Sequence, residues 1–583
     1  MGIIQVLPDN VANQIAAGEV VVRPASCVKE LIENSIDAGA KNITVNVEDA
    51  GKKLIEIKDD GCGMDETDAV NSFLRHATSK IKVISDLDSV QTLGFRGEAL
   101  ASIASVSRLE MITRTKDEEA AVRILFDNGK IQKKEKTAAN CGTVIRVRDL
   151  FYNTPARLKF LKSKYTEEAH IIDAVMAQGL SKEDVSIKLF IDGKETLVFP
   201  PASGFKEKVR SVFGTEAHDA LLEIGEYTDN IKITGFICAP SVTKNNRSAQ
   251  FLFVNGRAVS SRALSYAVYE GYGTLLMKGN YPVTFIFVEI NPSFVDVNVH
   301  PAKAEVKFRN EHDIYVLIKK AVENALHAAN LSRSAYADVF DSAQAADKYG
   351  AAARESVNRF FTQESAALFS SPLVSGPRSD VSFQAQSQRR EYFNFRFLGQ
   401  VNTTYIVGEE NGSLVIIDQH AAHEKVLYEA IMKELNSGEV KVQEMLIPEV
   451  IEMTPAEKLT VSNNLEVFAK MGIELEPFGG NAYSIRSHPV LIKNKAIGGI
   501  VKSIVDSLKE KGTASADEAM KDAAATMACR AAYKAGDALS QNEIEALLGE
   551  YFEIDAPFSC PHGRPPIVKI GFEEIEKMFK RKL

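Results

Sequence analysis

The sequence predicts a multidomain chain of α/β character, turning to α+β near its C-terminal end, and three observations carry that expectation. At 583 residues it exceeds what one hydrophobic core normally serves. Helical and strand-like periodicities alternate from the start to about residue 330. From about 332 to 392 the texture then changes to alanine, serine and glutamine, punctuated by Ser370-Ser371-Pro372 and Ser375-Gly376-Pro377, before order returns near Phe395.

The elements follow in order. Pro24 to Gly39 predicts a helix, with Val28, Leu31, Ile32 and Ser35 as its inward stripe and Gly39 as its stop. Ile43–Val47 and Leu54–Lys58 alternate in period two, as half-buried strands do. Further strands are expected at Thr143–Val147, Ile231–Cys238, Gln250–Val254 and Val283–Ile290, and a helix from Asp313 to Ala329. The low-complexity stretch reads as a flexible linker, and a chain of roughly 60 residues has an r.m.s. span of about 45 Å. Beyond it, strands at Thr404–Val407 and Leu414–Asp418 lead into a helix from Ala421.

Composition excludes several classes. Hydrophobic content of 45% and charged content of 25% are ordinary for a soluble globular protein. The net charge of −9 argues against a uniformly basic DNA-coating protein, but leaves room for a local basic groove. No long uncharged apolar run predicts a membrane span, and the start lacks the layout of a signal peptide or a myristoylation signal. Six scattered cysteines make no disulfide framework, so a reduced, cytoplasmic protein is expected.

Two sets of motifs carry chemistry. On the first helix Glu30 and Asn34, four residues apart, share a face. A carboxylate there can orient a water while an amide oxygen ligates Mg²⁺ on phosphates; a solvated helix face is the plainer alternative. Asp59-Asp60-Gly61-Cys62-Gly63 follows a strand directly, so that Asp59 can accept from an exocyclic adenine amine while Gly61 and Gly63 admit the base. Gly94-Phe95-Arg96-Gly97-Glu98-Ala99-Leu100 offers glycine-hinged amides ahead of a helix, a cradle for phosphates or a lid. Thr78-Ser79-Lys80 and Gly142-Thr143 add polar contacts, and no P-loop is present. Near the other end, Asp418, His420 and Glu424 sit where a strand runs into a helix, with Cys529 and the pair Cys560/His562 as further candidate ligands. Imidazole, carboxylate and thiolate suit Zn²⁺ or a mixed transition-metal site better than Mg²⁺. Lys244, Arg247, Arg257 and Arg262 form a basic stretch interleaved with asparagines, open to a DNA backbone or simply to solvent.

The order and spacing of the first set resemble the GHKL ATPases: gyrase B-type topoisomerases, Hsp90, histidine kinases and MutL. Asn13–Val20, Lys29–Gly39 and Gly94–Leu100 resemble the MutL mismatch-repair family almost letter for letter. The likeness covers residues 1–330 and resumes near 395. It implies a GHKL α/β sandwich over 1–205, and over 206–331 a second α/β domain with a left-handed βαβ crossover. A linker over 332–392 then leads to a dimerisation and endonuclease domain over 393–583, with a regulatory insertion at about 437–520.

The resemblance also implies roles. Glu30 is the general base toward water, Asn34 the Mg²⁺ ligand and Asp59 the adenine reader, with Thr143 nearby. Lys80 and the backbone from Gly94 to Leu100 hold the phosphates of ATP. Lys303, within Asp296–Lys303, senses the γ-phosphate from the second domain. Arg262 corresponds to the family's DNA-contacting arginine, with sequence-independent phosphate contacts expected. Asp418 to Glu429 resembles the Asp-Gln-His-Ala-x-x-Glu-x-x-x-x-Glu motif of endonuclease-proficient members. Ala528-Cys529-Arg530 and Cys560–Pro565 resemble its companion motifs, whereas His423 and Lys425 depart from the usual pattern. Asp418 and Glu424 are then catalytic, and His420, Glu424, Cys529, Cys560 and His562 ligate Zn²⁺ or Mn²⁺. Gln443-Glu444-Met445-Leu446-Ile447-Pro448 resembles the peptide that docks on the replication sliding clamp, through Gln443, Leu446 and Pro448; a buried strand is its alternative. The implied partners are DNA, MutS, the clamp and a second copy of the chain, with no membrane. A matchmaker without its own nuclease is the rival reading.

Overall fold

Pro24 opens a helix at its first turn, where a missing N–H costs nothing, and the helix runs Pro24–Asp37 before Gly39 turns the chain at φ +75°. The computed structural model describes residues 17–18, 20–80, 93–94, 97–200, 204–276, 279–296, 306–329, 395–492, 497–511, 516–534, 536–554 and 565–581. The linker expected at 332–392 lies outside them. Strand and helix positions agree with the sequence pattern to within a few residues: Ile231–Cys238 and Gln250–Val254 run as expected, and the helix expected from Asp313 spans Glu311–Ala328.

Eight strands form the first sheet: β1 (Asn42–Glu48), β2 (Leu54–Asp59), β3 (Arg108–Arg114), β4 (Ala121–Asp127), β5 (Lys130–Thr137), β6 (Gly142–Arg148), β7 (Ser186–Ile191) and β8 (Lys194–Phe199), in the order β5-β4-β3-β6-β2-β1-β7-β8. Only β1 with β7 is a parallel pair; the rest are antiparallel. Alternation decides which face is covered: Ile43, Val45 and Val47 on β1 and Ile55 and Ile57 on β2 are buried in one core with Val28, Leu31 and Ile32 of the first helix and Ile171, Ile172 and Val175 of the Lys164–Ser181 helix. The β2–β6 register sets Asp59 opposite Thr143 at the end of the strands, where sequence analysis placed an adenine contact.

A second sheet holds Leu221–Tyr227, Ile231–Cys238, Gln250–Val254, Arg257–Val259 and Thr284–Ile290. Gln250–Val254 runs parallel to Thr284–Ile290, the chain crossing between them through the Arg262–Tyr272 helix. Phenylalanines fill this core, with Phe205, Phe213, Phe251, Phe253, Phe285 and Phe287 meeting at ring-centroid distances between 4.9 and 5.9 Å.

The compact units do not follow chain order. One comprises residues 1–325 with 424–532; the other comprises 326–423 with 533–583. The 424–532 segment brings a three-stranded sheet of Val442–Glu452, Ala482–Pro489 and Glu474–Pro477, with helices Pro455–Asn463, Ile497–Lys511 and Ala516–Ala531 around a core of its own. The other unit is built on an antiparallel sheet of Phe395–Val401, Tyr405–Glu410, Ser413–Asp418 and Ile567–Gly571. No described helix is long and apolar enough to cross a membrane.

Candidate functional sites

Glu30 and Asn34 stand one turn apart on the first helix, and Glu30 is only 7% exposed. Glu33 is buried too, receiving Gln178 Nε2 at 3.2 Å and lying 3.6 Å from Lys29 Nζ. This face of the helix is therefore not a solvated one. At the end of β2, Asp59 takes three donors: Gly61 N at 2.9 Å and Thr143 N at 3.2 Å on Oδ1, and Ser35 Oγ at 2.8 Å on Oδ2. Burial raises the Asp59 carboxyl above its ordinary value, while these hydrogen bonds pull the other way. Thr113 Oγ1, 3.1 Å from Thr143 Oγ1, accepts from Met64 N and extends the network. Gly63 has no room for a side chain: at φ +70°, a Cβ would lie 2.0 Å from Arg114 O. Ser35, expected on the apolar stripe, is buried as the stripe requires, but its hydroxyl donates to the Asp59 carboxylate.

Asp37, which the sequence places on the polar face of the helix with Glu30 and Asn34, has a part that sequence reasoning did not assign it. Its Oδ2 lies 2.6 Å from Lys80 Nζ and accepts from Gly94 N at 2.9 Å, and its Oδ1 accepts from Leu93 N at 2.9 Å. Lys80 Nζ also donates to Asn34 Oδ1 at 3.1 Å. One carboxylate thus gathers Lys80 and the root of the glycine loop beside Asn34. Gly94 fits because a Cβ there would sit 2.9 Å from Lys80 Nζ. The available signal was position: Asp37 lies three residues after Asn34, on the face that already carried Glu30. Gly97, Glu98, Ala99 and Leu100 lead into the helix Ala99–Ser105; Phe95, Arg96 and Lys303 lie outside the described residues.

The Ser413–Asp418 strand runs into the helix Gln419–Ser437, two residues earlier than the sequence pattern suggested, because Asp418 caps it: Oδ1 accepts from His420 N at 2.9 Å and Ala421 N at 3.0 Å. The boundary between the two compact units falls inside this continuous helix, between His423 and Glu424. Glu424 and Cys529, the latter on the Ala516–Ala531 helix, offer ligand atoms within 4.8 Å of each other, and His420 stands one turn before Glu424 on its own helix. His420 Nδ1 lies 2.7 Å from the Tyr533 carbonyl oxygen, which can only accept. The proton therefore sits on Nδ1 and the lone pair on Nε2. Tyr533 N donates to His423 Nδ1 at 3.0 Å, and the two rings stack at 4.0 Å. His423 is thereby occupied as a support for Tyr533. Lys425, the other departure from the family pattern, pairs with Glu429 at 2.7 Å. Cys560 and His562 lie outside the described residues. The five described cysteines form no disulfide.

The four candidate DNA cations divide. Arg262 is exposed at the first turn of the Arg262–Tyr272 helix, and Arg247 is exposed with its guanidinium 5.3 Å from the Tyr281 ring centroid. Arg257 is 5% exposed, so burial removes it from any surface a phosphate could reach. Lys244 is also withdrawn: its Nζ meets Glu457 Oε1 at 2.6 Å and Oε2 at 2.9 Å. Gln443, Leu446 and Pro448 lie in Val442–Glu452, whose pairing with Ala482–Pro489 breaks its register between Glu444 and Glu449. Leu446 is 99% and Ile447 79% exposed, so the alternative of a buried strand fails here.

A helix bearing a buried glutamate and an asparagine against a mixed sheet, with a strand-end aspartate and a glycine loop rooted beside a lysine, is the arrangement of a GHKL-type ATPase domain. The family described as histidine kinase-, DNA gyrase B-, and HSP90-like ATPase matches residues 22–147. The DNA mismatch repair protein C-terminal domain matches 209–327, and the MutL C-terminal dimerisation domain matches 398–539. The chain is 37% identical over 591 residues to the DNA mismatch repair protein MutL of Caldanaerobacter subterraneus subsp. tengcongensis, covering 100% of both. It is 36% identical over 646 residues to that of Koribacter versatilis, again covering 100% of both. Among solved structures, the Aquifex aeolicus MutL ATPase domain complexed with ADP is 28% identical, spanning 47% of this chain and 94% of that one at a TM-score of 0.36. The chain belongs to the MutL family of DNA mismatch repair proteins, with a GHKL ATPase domain and the family's C-terminal dimerisation domain.

Proposed function

We propose that this chain is an ATP-gated mismatch repair endonuclease. It would work as a homodimeric clamp in the bacterial cytosol, coupling mismatch recognition by MutS to nicking of DNA at its own C-terminal metal site. One observation supports the nicking half: Glu424 and Cys529 converge within 4.8 Å, and His420, one turn before Glu424 on its helix, is oriented by the Tyr533 carbonyl. The set fits Zn²⁺, a borderline-soft cation, because it mixes imidazole, carboxylate and thiolate and fixes the histidine tautomer; Mn²⁺ is the harder, more oxygen-seeking alternative. Cys560 and His562 are proposed as further ligands on resemblance. A divalent cation held there would supply Lewis-acid polarisation of a phosphodiester. Asp418 acts through the helix: its cap on the His420 and Ala421 amides sets the direction in which His420 leaves the first turn.

In the ATPase half, Glu30 orients the attacking water, Asn34 offers Oδ1 to Mg²⁺, and Asp59 takes the adenine amine. Lys80 and the Gly94–Leu100 backbone hold the phosphates, and Lys303 senses the γ-phosphate. Arg247 and Arg262, joined by Lys244 once it leaves Glu457, contact DNA phosphates without reading sequence. The exposed Leu446 and Ile447 dock, with Gln443 and Pro448, on the replication sliding clamp.

Nicking of supercoiled plasmid in the presence of Mn²⁺ is the decisive test. Wild type is expected to convert plasmid to open circles, and Asp418→Ala, which removes the cap, and Glu424→Lys to lose that activity while keeping ATP turnover. Plasmid left intact by the wild type would favour the rival, an ATP-dependent matchmaker that recruits another nuclease.

A further inference from the structure

Lys244, a cation of the proposed DNA surface, is held by a carboxylate, and that carboxylate comes from more than two hundred residues away. Glu457 receives it through both oxygens, and the two side chains are 11% and 8% exposed. The contact does not stand alone. Asn245 Nδ2 donates to Ser503 Oγ at 2.9 Å, and Lys509 Nζ meets Asp173 Oδ1 at 2.9 Å. Glu452 accepts from Thr215 N, Thr215 Oγ1 and Glu216 N at 3.2, 2.6 and 3.1 Å. Ala456, fully buried, belongs to the core of residues 17–285, and Leu459 packs against it. Glu457 is also tied down locally, as the third residue of a capping box with Thr454. Burial works against its charge, but the Lys244 ammonium and the Thr454 amide hold its carboxyl below the ordinary range.

We propose that the 452–509 segment is an internal stand-in for a nucleic-acid backbone. By seating Glu457 on Lys244 it covers a phosphate-contacting surface of the N-terminal half, and DNA gains that surface only as the segment lifts away. A carboxylate presenting two oxygens to an ammonium offers the same charge and similar spacing as a phosphate presenting two oxygens, so the two exchange without leaving the lysine buried and unpaired. Charge pairs and polar hydrogen bonds recur along the contact, which suits an interface that opens. The proposal rests on the reading of Lys244 as a DNA contact.

The test uses the full chain. Asn245→Cys with Ser503→Cys places two thiols where a hydrogen bond now joins the side chains, and mild oxidation should link them. The linked form is expected to bind a DNA duplex at least several-fold more weakly than its reduced form, and prior addition of DNA should slow linking. Glu457→Gln, which keeps the capping box and removes the charge, should bind several-fold more tightly than wild type, with a steeper salt dependence by about one phosphate contact. Failure of the thiols to link, or equal DNA affinity of linked, reduced and Glu457→Gln forms, overturns the inference. Absence of DNA binding in every form, the reduced form and Glu457→Gln included, overturns instead the DNA reading beneath it.

Discussion

Replacing Asp506 with asparagine should stabilise the protein near neutral pH, and the gain should disappear in acid. Asp506 is 8% exposed, and its Oδ2 finds no hydrogen-bond partner among the described residues. Burial first, and then the charge of Glu457, push its carboxyl from 3.8 to about 6, against the opposing pull of Lys244, Lys509 and Asn245. A carboxyl raised by folding is protonated more readily in the folded chain than in the unfolded one. Stability therefore falls as pH rises between the two values, and the full cost is present above about 6. A rise of about two units at about 1.4 kcal/mol each makes that cost about 3 kcal/mol at pH 7.5. Glu457, whose carboxyl folding lowers, has the opposite slope, so the difference between wild type and Asp506→Asn isolates the one group. The sequence contains no tryptophan, so amide hydrogen exchange across Ile497–Lys511, followed by mass spectrometry, is the natural assay. Exchange at pH 7.5 should slow on the order of a hundredfold in the variant, and the two proteins should converge toward pH 4. Equal protection at pH 7.5, or a variant less protected than wild type, would refute the burial argument.

Asp37→Asn should disturb ATP binding, although Asp37 need not touch the nucleotide. It removes the charge that gathers Lys80, Leu93 and Gly94. With charged hydrogen bonds at about 1.5–3 kcal/mol, apparent ATP affinity should change by roughly tenfold to a hundredfold, read by nucleotide titration. Cys529→Ser should lower zinc content from near-stoichiometric to a small fraction by elemental analysis of the purified chain, with ATP turnover retained; unchanged metal content would remove Cys529 from the ligand set.

What could be read from sequence, and what could not, divides along physical lines. Periodicity located the strands at Ile231–Cys238 and Gln250–Val254, because a half-buried strand must alternate wherever its partners lie. The same reasoning put Ser35 on the apolar stripe, correctly for its burial. It could not see the hydroxyl turning to Asp59, because that partner is 24 residues away on a strand. Motif chemistry brought His420, Glu424 and Cys529 into one argument. The Tyr533 backbone that orients His420 and engages His423 has no side-chain signature to find. Lys244 and Arg257 were legible as cations but not as buried ones, since Glu457 approaches across a sequence gap that no local pattern spans.

The same arrangement recurs where phosphate binding is proposed. Lys80 and the Gly94 amide are held by Asp37, and Lys244 is held by Glu457, in each case by a carboxylate of the chain itself. A largely buried ammonium left without a partner costs several kcal/mol, so a surface preformed for phosphate would be unstable unless something anionic filled it. Filling it internally makes ligand binding an exchange of one anion for another, in which the net gain is small and the displaced carboxylate is set free to act elsewhere. Asp37 released from Leu93 and Gly94 would loosen the root of the glycine loop, and Glu457 released from Lys244 would loosen the segment that carries it. In both places an arriving phosphate would do mechanical work because the chain had already paired its own charges there, and a version of the protein with Glu457 neutralised should bind DNA more readily and switch less.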